Sequence, residues 1–125
     1  GPDSLELWLD KTLDRPAMMT ARTSQYAFCP TPEPGPGRAR VAAGGDVYRS
    51  DRLECAWLPT ADGYRMEFRV PADLLEPASL TEGSELGLNF TLNIAGHPTE
   101  HFYTDKERDA SWCTPITWGV VRLAK

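Results

Sequence analysis

Apolar and polar residues alternate with a period of two along several short segments of the chain. In residues 4–10, "SLELWLD", three leucines alternate with polar residues and one tryptophan. Residues 52–58, "RLECAWL", and 63–71, "GYRMEFRVP", alternate in the same way, and the "PTADG" between them contains an Asp-Gly turn signal. This period is typical of strands with one buried face, so the last two segments are predicted to form an antiparallel hairpin.

A longer segment, residues 85–96, has two contrasting faces. In "ELGLNFTLNIAG" one face is made of leucines, phenylalanine and isoleucine. The opposite face carries Gly87, Asn89, Thr91 and Asn93. Short and amide side chains let a ligand approach and offer both donors and acceptors, which is typical of a groove. An ordinary solvent-exposed strand face is the alternative interpretation.

These strands indicate an all-β fold, a jelly-roll-like antiparallel β-sandwich formed by one domain over residues 3–125. "TWGVVRLA" near the end of the chain is predicted as a last strand, and "PADLLEP" (71–77) as a helical turn. The Pro/Gly-rich residues 28–40, "FCPTPEPGPGRAR", are predicted to lie outside the sheets. The expected core residues are Leu53, Cys55, Trp57, Tyr64, Met66, Phe68, Leu86, Leu88 and Phe90.

The first strand is apolar enough to be central, and a central strand needs a neighbour on each side. Later strands of this chain are one source of those neighbours, and another segment or another chain that completes the sandwich is the other. Trp8 shares the polar face of this strand. A side chain of this size has to be covered by protein or by a ligand.

Charge argues against a nucleic-acid partner. The formal net charge is −5, and the 13 lysines and arginines are interleaved with 18 acidic residues instead of forming a stripe. No apolar run approaches the roughly 20 residues that a membrane span requires. Gly1 and Pro2 have the composition left by cleavage of a purification tag, so they are set apart from the fold.

Catalytic and zinc-binding motifs are not found. Cys29, Cys55 and Cys113 lack the spacing of a zinc site, so buried thiols are predicted, with one disulfide and one free thiol as the alternative. The sequence contains neither G-x-S-x-G nor H-E-x-x-H. We therefore predict that the domain itself is not an enzyme.

Five motifs follow one another along the chain: "DSLELWLD", "QYAF", "GYRMEFRVPADLL", "GSELGLNFTLNI" and "SWCTPITWGVVRL". Their order resembles carbohydrate-binding module family 9 and its wider DOMON-like relatives over residues 3–123. This chain departs from the family in lacking the strands and the binding tryptophan that usually precede the first motif. It also has Asp109 where a polar amide is usual. The resemblance implies an extracellular or periplasmic accessory domain of a larger enzyme, which binds a plant-type polysaccharide or its chain end.

The resemblance also implies a site built from an aromatic platform and polar side chains. Trp112 resembles the stacking tryptophan of the family, and Glu6 resembles a carboxylate that receives sugar hydroxyls. A flat ring covers the apolar face of a sugar, while carboxylates and amides bind its polar edge. The predicted ligand-binding residues are Trp112, Asp109, Glu6, Asn89, Asn93 and Trp8.

Each of these roles has a structural alternative. Trp112 can instead plug the end of the sandwich, and Glu6 can form a surface ion pair with Arg65 or Arg69. Trp118 opens the last strand, so we expect it to pack at the edge of the core. Of the two tryptophans in "DASWCTPITWG", the first is predicted to bind and the second to stabilise the fold.

Haem and calcium are the cofactors to consider. Some DOMON-like domains bind haem through a methionine and a second axial ligand, for which Met18 or Met19 with His101 is the candidate pair. A haem-binding or electron-transfer domain is therefore the alternative function, and an adhesion sandwich without a small ligand is a third. Histidines 97 and 101 match no standard metal spacing. Family 9 modules often carry structural calcium, for which the candidate oxygen donors are Asp10, Asp14, Asp105 and Asp109.

Overall fold

The computed structural model describes residues 3–45, 47, 49–101 and 114–124. The strands in this part of the chain are β1 (Ser4–Asp10), β2 (Thr23–Cys29), β3 (Gly35–Pro36), β4 (Arg38–Gly44), β5 (Glu54–Thr60), β6 (Gly63–Arg69), β7 (Glu85–Asn93), β8 (Glu100–His101) and β9 (Gly119–Arg122). Short 3-10 turns lie at Ser50–Arg52, Ala72–Leu74 and Pro115–Thr117. None of the helical segments in the described ranges is long and apolar enough to cross a membrane.

Two antiparallel sheets form the predicted all-β sandwich. The large sheet has the order β4-β2-β1-β7-β8, and β9 pairs with the same edge of β7 as β8 does, farther along the strand. The small sheet has the order β3-β5-β6. β1 is central, because it pairs with β2 on one side and with β7 on the other. Both of its neighbours are therefore later strands of this chain.

The core lies between the two sheets. The leucines of β1 face it, and their partners across the ladder are apolar: Leu7 is paired with Tyr26 on one side and Phe90 on the other. The buried members of the core cluster are Leu9, Tyr26, Phe28, Val41, Leu53 and Leu74. The alternation in the sequence thus predicts correctly which side chains of these strands face the core.

The predicted hairpin of β5 and β6 is confirmed. Thr60 pairs with Gly63, so the two turn residues are Ala61 and Asp62, and the glycine is the first residue of β6. The Asp62 carboxylate accepts a hydrogen bond of 3.2 Å from the Thr60 hydroxyl. This side-chain contact closes the turn without a glycine at its centre.

Two expectations need correction. Residues 28–40 are not wholly outside the sheets: Phe28 and Cys29 end β2, residues 35–36 form an edge pair with β5, and Arg38 begins β4. The prolines confine β3 to an edge, as a missing N–H donor requires, but they do not prevent pairing.

The second correction concerns Phe68, which is 40% exposed instead of fully buried. It points inward and stacks on Phe28 with ring centroids 4.4 Å apart. Cys55, Met66 and Leu88 also contact the core while only partly buried. The reason is the width of the small sheet, because its three strands cannot cover all of the residues that face the larger sheet.

Candidate functional site

The face of the large sheet that points away from the small sheet, here called the outer face, carries the predicted ligand-binding residues of β1 and β7. Glu6 is paired with Thr91, and Trp8 is paired with Asn89, so these side chains stand next to one another. The two ends of this face differ. One end is covered by the residues around Trp118, and the other, here called the open end, contains a pocket in the part of the chain that the structure describes.

The covered end contains Trp8 and Asn89, which are 3% and 0% exposed. Trp118 is also fully buried, and its ring packs on that of Trp8 with centroids 6.0 Å apart. Trp118 is thus buried, as expected, but it packs on Trp8 on the outer face and not at the edge of the core between the sheets, and its contribution to stability stays a prediction. In this conformation a ligand reaches Trp8 or Asn89 only if the covering segment moves.

Residues 115–118 form the segment that covers Trp8, and hydrogen bonds tie this covering segment to the loop after β1. The Arg15 guanidinium donates to the Ile116 carbonyl at 2.6 Å, and the Ile116 amide donates to the Pro16 carbonyl at 3.0 Å. The Asp10 carboxylate in turn accepts from the Arg15 amide at 2.7 Å. The two bonds to Ile116 span a sequence separation of about one hundred residues and hold Trp118 over the sheet.

The open end is a pocket of about 430 Å³. Its floor is formed by strands of the large sheet, with Glu6, Ala27 and Arg40 side by side across three strands. One wall is the loop from Ile94 to Thr99, which includes His97. The remaining polar residues of the lining are Ser4 and Asn93. The volume is within the range of about 300–1,000 Å³ that is usual for small-molecule sites.

Hydrogen bonds position the polar groups of this pocket. Glu6 accepts a bond of 3.3 Å from the Thr91 hydroxyl. Asn93 donates to the Ser4 hydroxyl at 3.1 Å and accepts from the Thr99 hydroxyl at 2.9 Å. A primary amide has two N–H donors and two acceptor positions, so Asn93 retains one of each for a ligand.

The wall is anchored at its base. The Asp3 carboxylate accepts a bond of 2.9 Å from the backbone amide of Ala95. Gly96 has a φ of 81° within this turn, a conformation that favours glycine. The loop is therefore held against the start of β1, beside Glu6.

The structure divides the predicted ligand-binding residues into three groups. Glu6 and Asn93 line the same pocket, while Trp8 and Asn89 are buried beside it. Trp112 and Asp109 lie outside the described residues. Their roles stay predictions.

Arg40, Ser4 and His97 also line the pocket, a role that the sequence did not predict for them. Arg40 belongs to the segment that was predicted to be a loop, so the sequence did not predict that it lies on a strand of the sheet. Its alternation with Ala39 and Val41, which face the core, is the signal that would have revealed it.

Asp10 and Asp14 are the candidate calcium donors that the structure describes. Asp10 is fully buried, and one of its carboxylate oxygens accepts from the Arg15 amide while the other has no hydrogen-bond partner among the described residues. The Asp14 carboxylate accepts from the Thr12 hydroxyl and from Arg22, and the Thr12 bond is the main cause that lowers the pKa of Asp14. No cluster of three metal-binding side chains occurs among the described residues. Asp105 lies outside them, so the calcium prediction stays untested.

Two of the three candidate haem ligands are exposed, and the third, Met19, is partly buried. Met18 is 74% exposed, and His101 is an exposed residue of β8. The pocket at the open end is lined by neither of them. No described feature of the chain favours the haem alternative.

Comparison with known proteins agrees with this architecture. The family model described as "Carbohydrate family 9 binding domain-like" matches residues 1–125. A carbohydrate binding module family 9 from Caldicellulosiruptor kristjanssonii in complex with cellotriose is 21% identical, with a TM-score of 0.76, and the match covers 98% of this chain and 57% of that one. The module from the same organism in complex with glucose is 19% identical, with a TM-score of 0.74, and the match covers 98% and 60% of the two chains.

The chain thus spans less than two thirds of the length of either solved structure. At these identities the likeness establishes the fold. No match was found among the curated proteins. Because the family model matches the whole chain, the protein belongs to the carbohydrate family 9 binding domain-like family.

Proposed function

We propose that the protein is a non-catalytic sugar-binding domain and that the pocket at the open end of the outer face binds an oligosaccharide. The observation that carries the proposal is the convergence of Glu6 and Asn93 on one pocket of about 430 Å³ in a chain of this family. The two similar structures were determined with cellotriose and with glucose. Gluco-oligosaccharides of plant polysaccharides are therefore the ligand class we propose.

The chemistry of the pocket suits a polyol. The carboxylate of Glu6 accepts hydrogen bonds from sugar hydroxyls, and the guanidinium of Arg40 donates to them. Asn93 can do both at once. Ala27 lies between Glu6 and Arg40 in the register of the strands, where it is buried.

The apolar half of the interaction rests on the sequence. A sugar ring also offers a face of C–H groups, which an aromatic side chain covers. We propose Trp112 for this contact and Asp109 for a further hydroxyl, as the family resemblance implies. We also propose that the domain serves a larger extracellular or periplasmic enzyme as an accessory domain.

The test is calorimetric titration with cellotriose and glucose, supported by a glycan array. Replacement of Glu6 by Gln keeps the shape of the side chain and removes its charge. Since a hydrogen bond to a charged group contributes about 1.5–3 kcal/mol, the affinity should fall at least about tenfold. Glu67→Gln is the matched control, because Glu67 is exposed on β6 of the other sheet.

Two outcomes contradict the proposal. One is the absence of binding to every glycan on the array, and the other is unchanged affinity after Glu6→Gln. An absorbance spectrum provides an independent check on the haem alternative. A Soret band in the purified protein would favour that alternative over sugar binding.

A further inference from the structure

Most exposed arginines of the described chain are paired with a carboxylate. The ion pairs are Arg22 with Asp14, Arg49 and Arg52 with Asp73, Arg69 with Glu54, and Arg122 with Glu85. Arg65, on the small sheet, has no such pair among the described residues, and Arg38 and Arg40 on β4 also differ from the paired arginines. Both are exposed, and neither has an ion-pair partner within the ranges that the structure describes. Two neighbouring guanidinium groups are therefore available to an external anion.

The two arginines point to the same side of the sheet as the proposed sugar site. They are two residues apart on β4, so they share a face. Ala39, between them, packs against the core, which places both arginines on the outer face. Arg40 is paired with Ala27, and Ala27 is paired with Glu6. Two strand spacings separate Arg40 from Glu6, a distance of about 10 Å between their backbones.

A second pocket, of about 600 Å³, continues from the first toward this edge. Ala27, Cys29 and Arg40 line both pockets, so the two form one groove that runs across the outer face to the edge of β4, where Ala39 and Leu53 also line it. The second pocket adds the Arg38 side chain. Its far wall is the 3-10 turn at Ser50–Arg52.

Charge distinguishes the two parts of the groove. The first pocket contains one carboxylate, Glu6, together with Arg40 and the imidazole of His97. The second contains both arginines and one carboxylate, that of Asp51. The positive groups outnumber the negative one in the second pocket, and the carboxylate belongs to the wall instead of the floor.

We propose that the edge-strand part of this groove binds the carboxylate of an acidic sugar, so that the protein prefers oligosaccharides that carry a uronic acid. The proposal rests on the proposed function, because it places a neutral sugar unit of the same oligosaccharide beside Glu6. A guanidinium binds a planar carboxylate through two parallel hydrogen bonds, which a neutral hydroxymethyl group cannot form. Arg38 and Arg40 together bracket this position.

The experiment compares matched neutral and acidic ligands. The probes are cellotetraose, cellotetraose with the primary alcohol of one terminal unit oxidised to a carboxylate, and the methyl ester of the oxidised form. The ester keeps the shape of the acid and removes its charge. We expect the wild-type protein to bind the acid about tenfold more tightly than the ester at low ionic strength. The preference should decrease in 1 M salt, where the screening length is about 3 Å.

Variants test which residues produce the preference. Arg38→Gln should lower the acid-to-ester affinity ratio about tenfold, toward unity. Arg38→Lys should restore part of the ratio, because it retains the charge but not the planar fork. Arg65→Gln is the matched control: Arg65 is also exposed on a strand, but it belongs to the small sheet and should leave the ratio unchanged.

The possible results separate this inference from the proposed function. If the wild-type protein binds none of the three probes or any other glycan, both are wrong. If it binds cellotetraose and the ester with the same affinity as the acid, the proposed sugar binding is supported and the proposed acidic subsite is wrong. A preference for the acid that survives Arg38→Gln and Arg40→Gln would also overturn the assignment to these arginines.

Discussion

The indole rings of Trp8 and Trp118 pack against each other with centroids 6.0 Å apart and planes tilted by 55°. Trp8 belongs to the first strand, and Trp118 directly precedes the last one. Their contact covers one end of the outer face of the large sheet. The proposed sugar site begins where this cover ends, at Glu6.

Removal of the Trp118 ring should strongly destabilise the fold. Trp118 is fully buried, and truncation of a buried Trp or Phe costs about 3–5 kcal/mol. Urea unfolding of Trp118→Ala measures the loss. Leu58→Ala is the control, because Leu58 is 61% exposed and its loss should change stability by less than about 0.5 kcal/mol. Equal effects of the two substitutions would contradict the packing described here.

The sequence predicts the opposite behaviour for Trp112. If its ring is the stacking platform, Trp112→Ala should abolish sugar binding and leave the melting temperature nearly unchanged. Stacking supplies the apolar contact, whereas hydroxyl hydrogen bonds largely exchange with water. A thermal melt and a calorimetric titration of the same variant test both parts. Unfolding of the variant, or binding equal to that of the wild type, would assign the ring to the fold alone.

Two stacked phenylalanines should differ in their contribution to stability. Phe28 is fully buried, whereas Phe68, which stacks on it, is 40% exposed. Phe28→Ala should cost about 3–5 kcal/mol. Phe68→Ala should cost only about 1–2 kcal/mol, because part of its surface stays in water in the folded state. Denaturant midpoints of the two variants provide the comparison. A larger loss of stability for Phe68→Ala than for Phe28→Ala would contradict the burial described for the two rings.

Two glycines should respond differently to a methyl group. Gly44 has a φ of 100°, and a Cβ there would lie 2.0 Å from the Thr23 carbonyl oxygen. Gly44→Ala should therefore cost at least about 2 kcal/mol. Gly63 has open space around the same position, so Gly63→Ala should be neutral or stabilise the protein by up to about 1 kcal/mol. Thermal melts of both variants test this contrast.

The cluster of Asp73 with two arginines should make stability depend on acid pH. Partial burial raises the pKa of Asp73, but the charges and hydrogen bonds of Arg52 and Arg49 outweigh this effect and lower the pKa overall. A lowered folded-state pKa stabilises the protein above the ordinary value of about 3.9. That contribution is lost as the pH falls through the lowered value.

Asp73→Asn should accordingly be less stable than the wild type at pH 7, and the difference should vanish in strong acid. Urea unfolding at several pH values measures the difference. Arg52→Gln added to Asp73→Asn should have little further effect, because its partner is already gone. A difference that persists below the lowered pKa would show that the cluster does not act through charge.

The proposed site could be predicted only in part from the sequence. Glu6 and Asn93 were found because strand alternation and motif order placed them on polar faces. Arg40 was missed because prolines nearby suggested a loop, and only the pairing of β4 with β2 brings it beside Ala27. Pairing between segments depends on interactions that no local pattern contains.

The sequence by itself determined which side of each strand faces the core. This follows from the backbone, because successive side chains of a strand point in opposite directions whatever their neighbours are. It also determined that Trp8 had to be covered. Only the tertiary structure decided what covers it, namely Trp118 held by Arg15, and where that cover ends. The physical reason is that alternation assigns a side chain to a face, whereas the burial of that face depends on contacts between residues far apart in the chain.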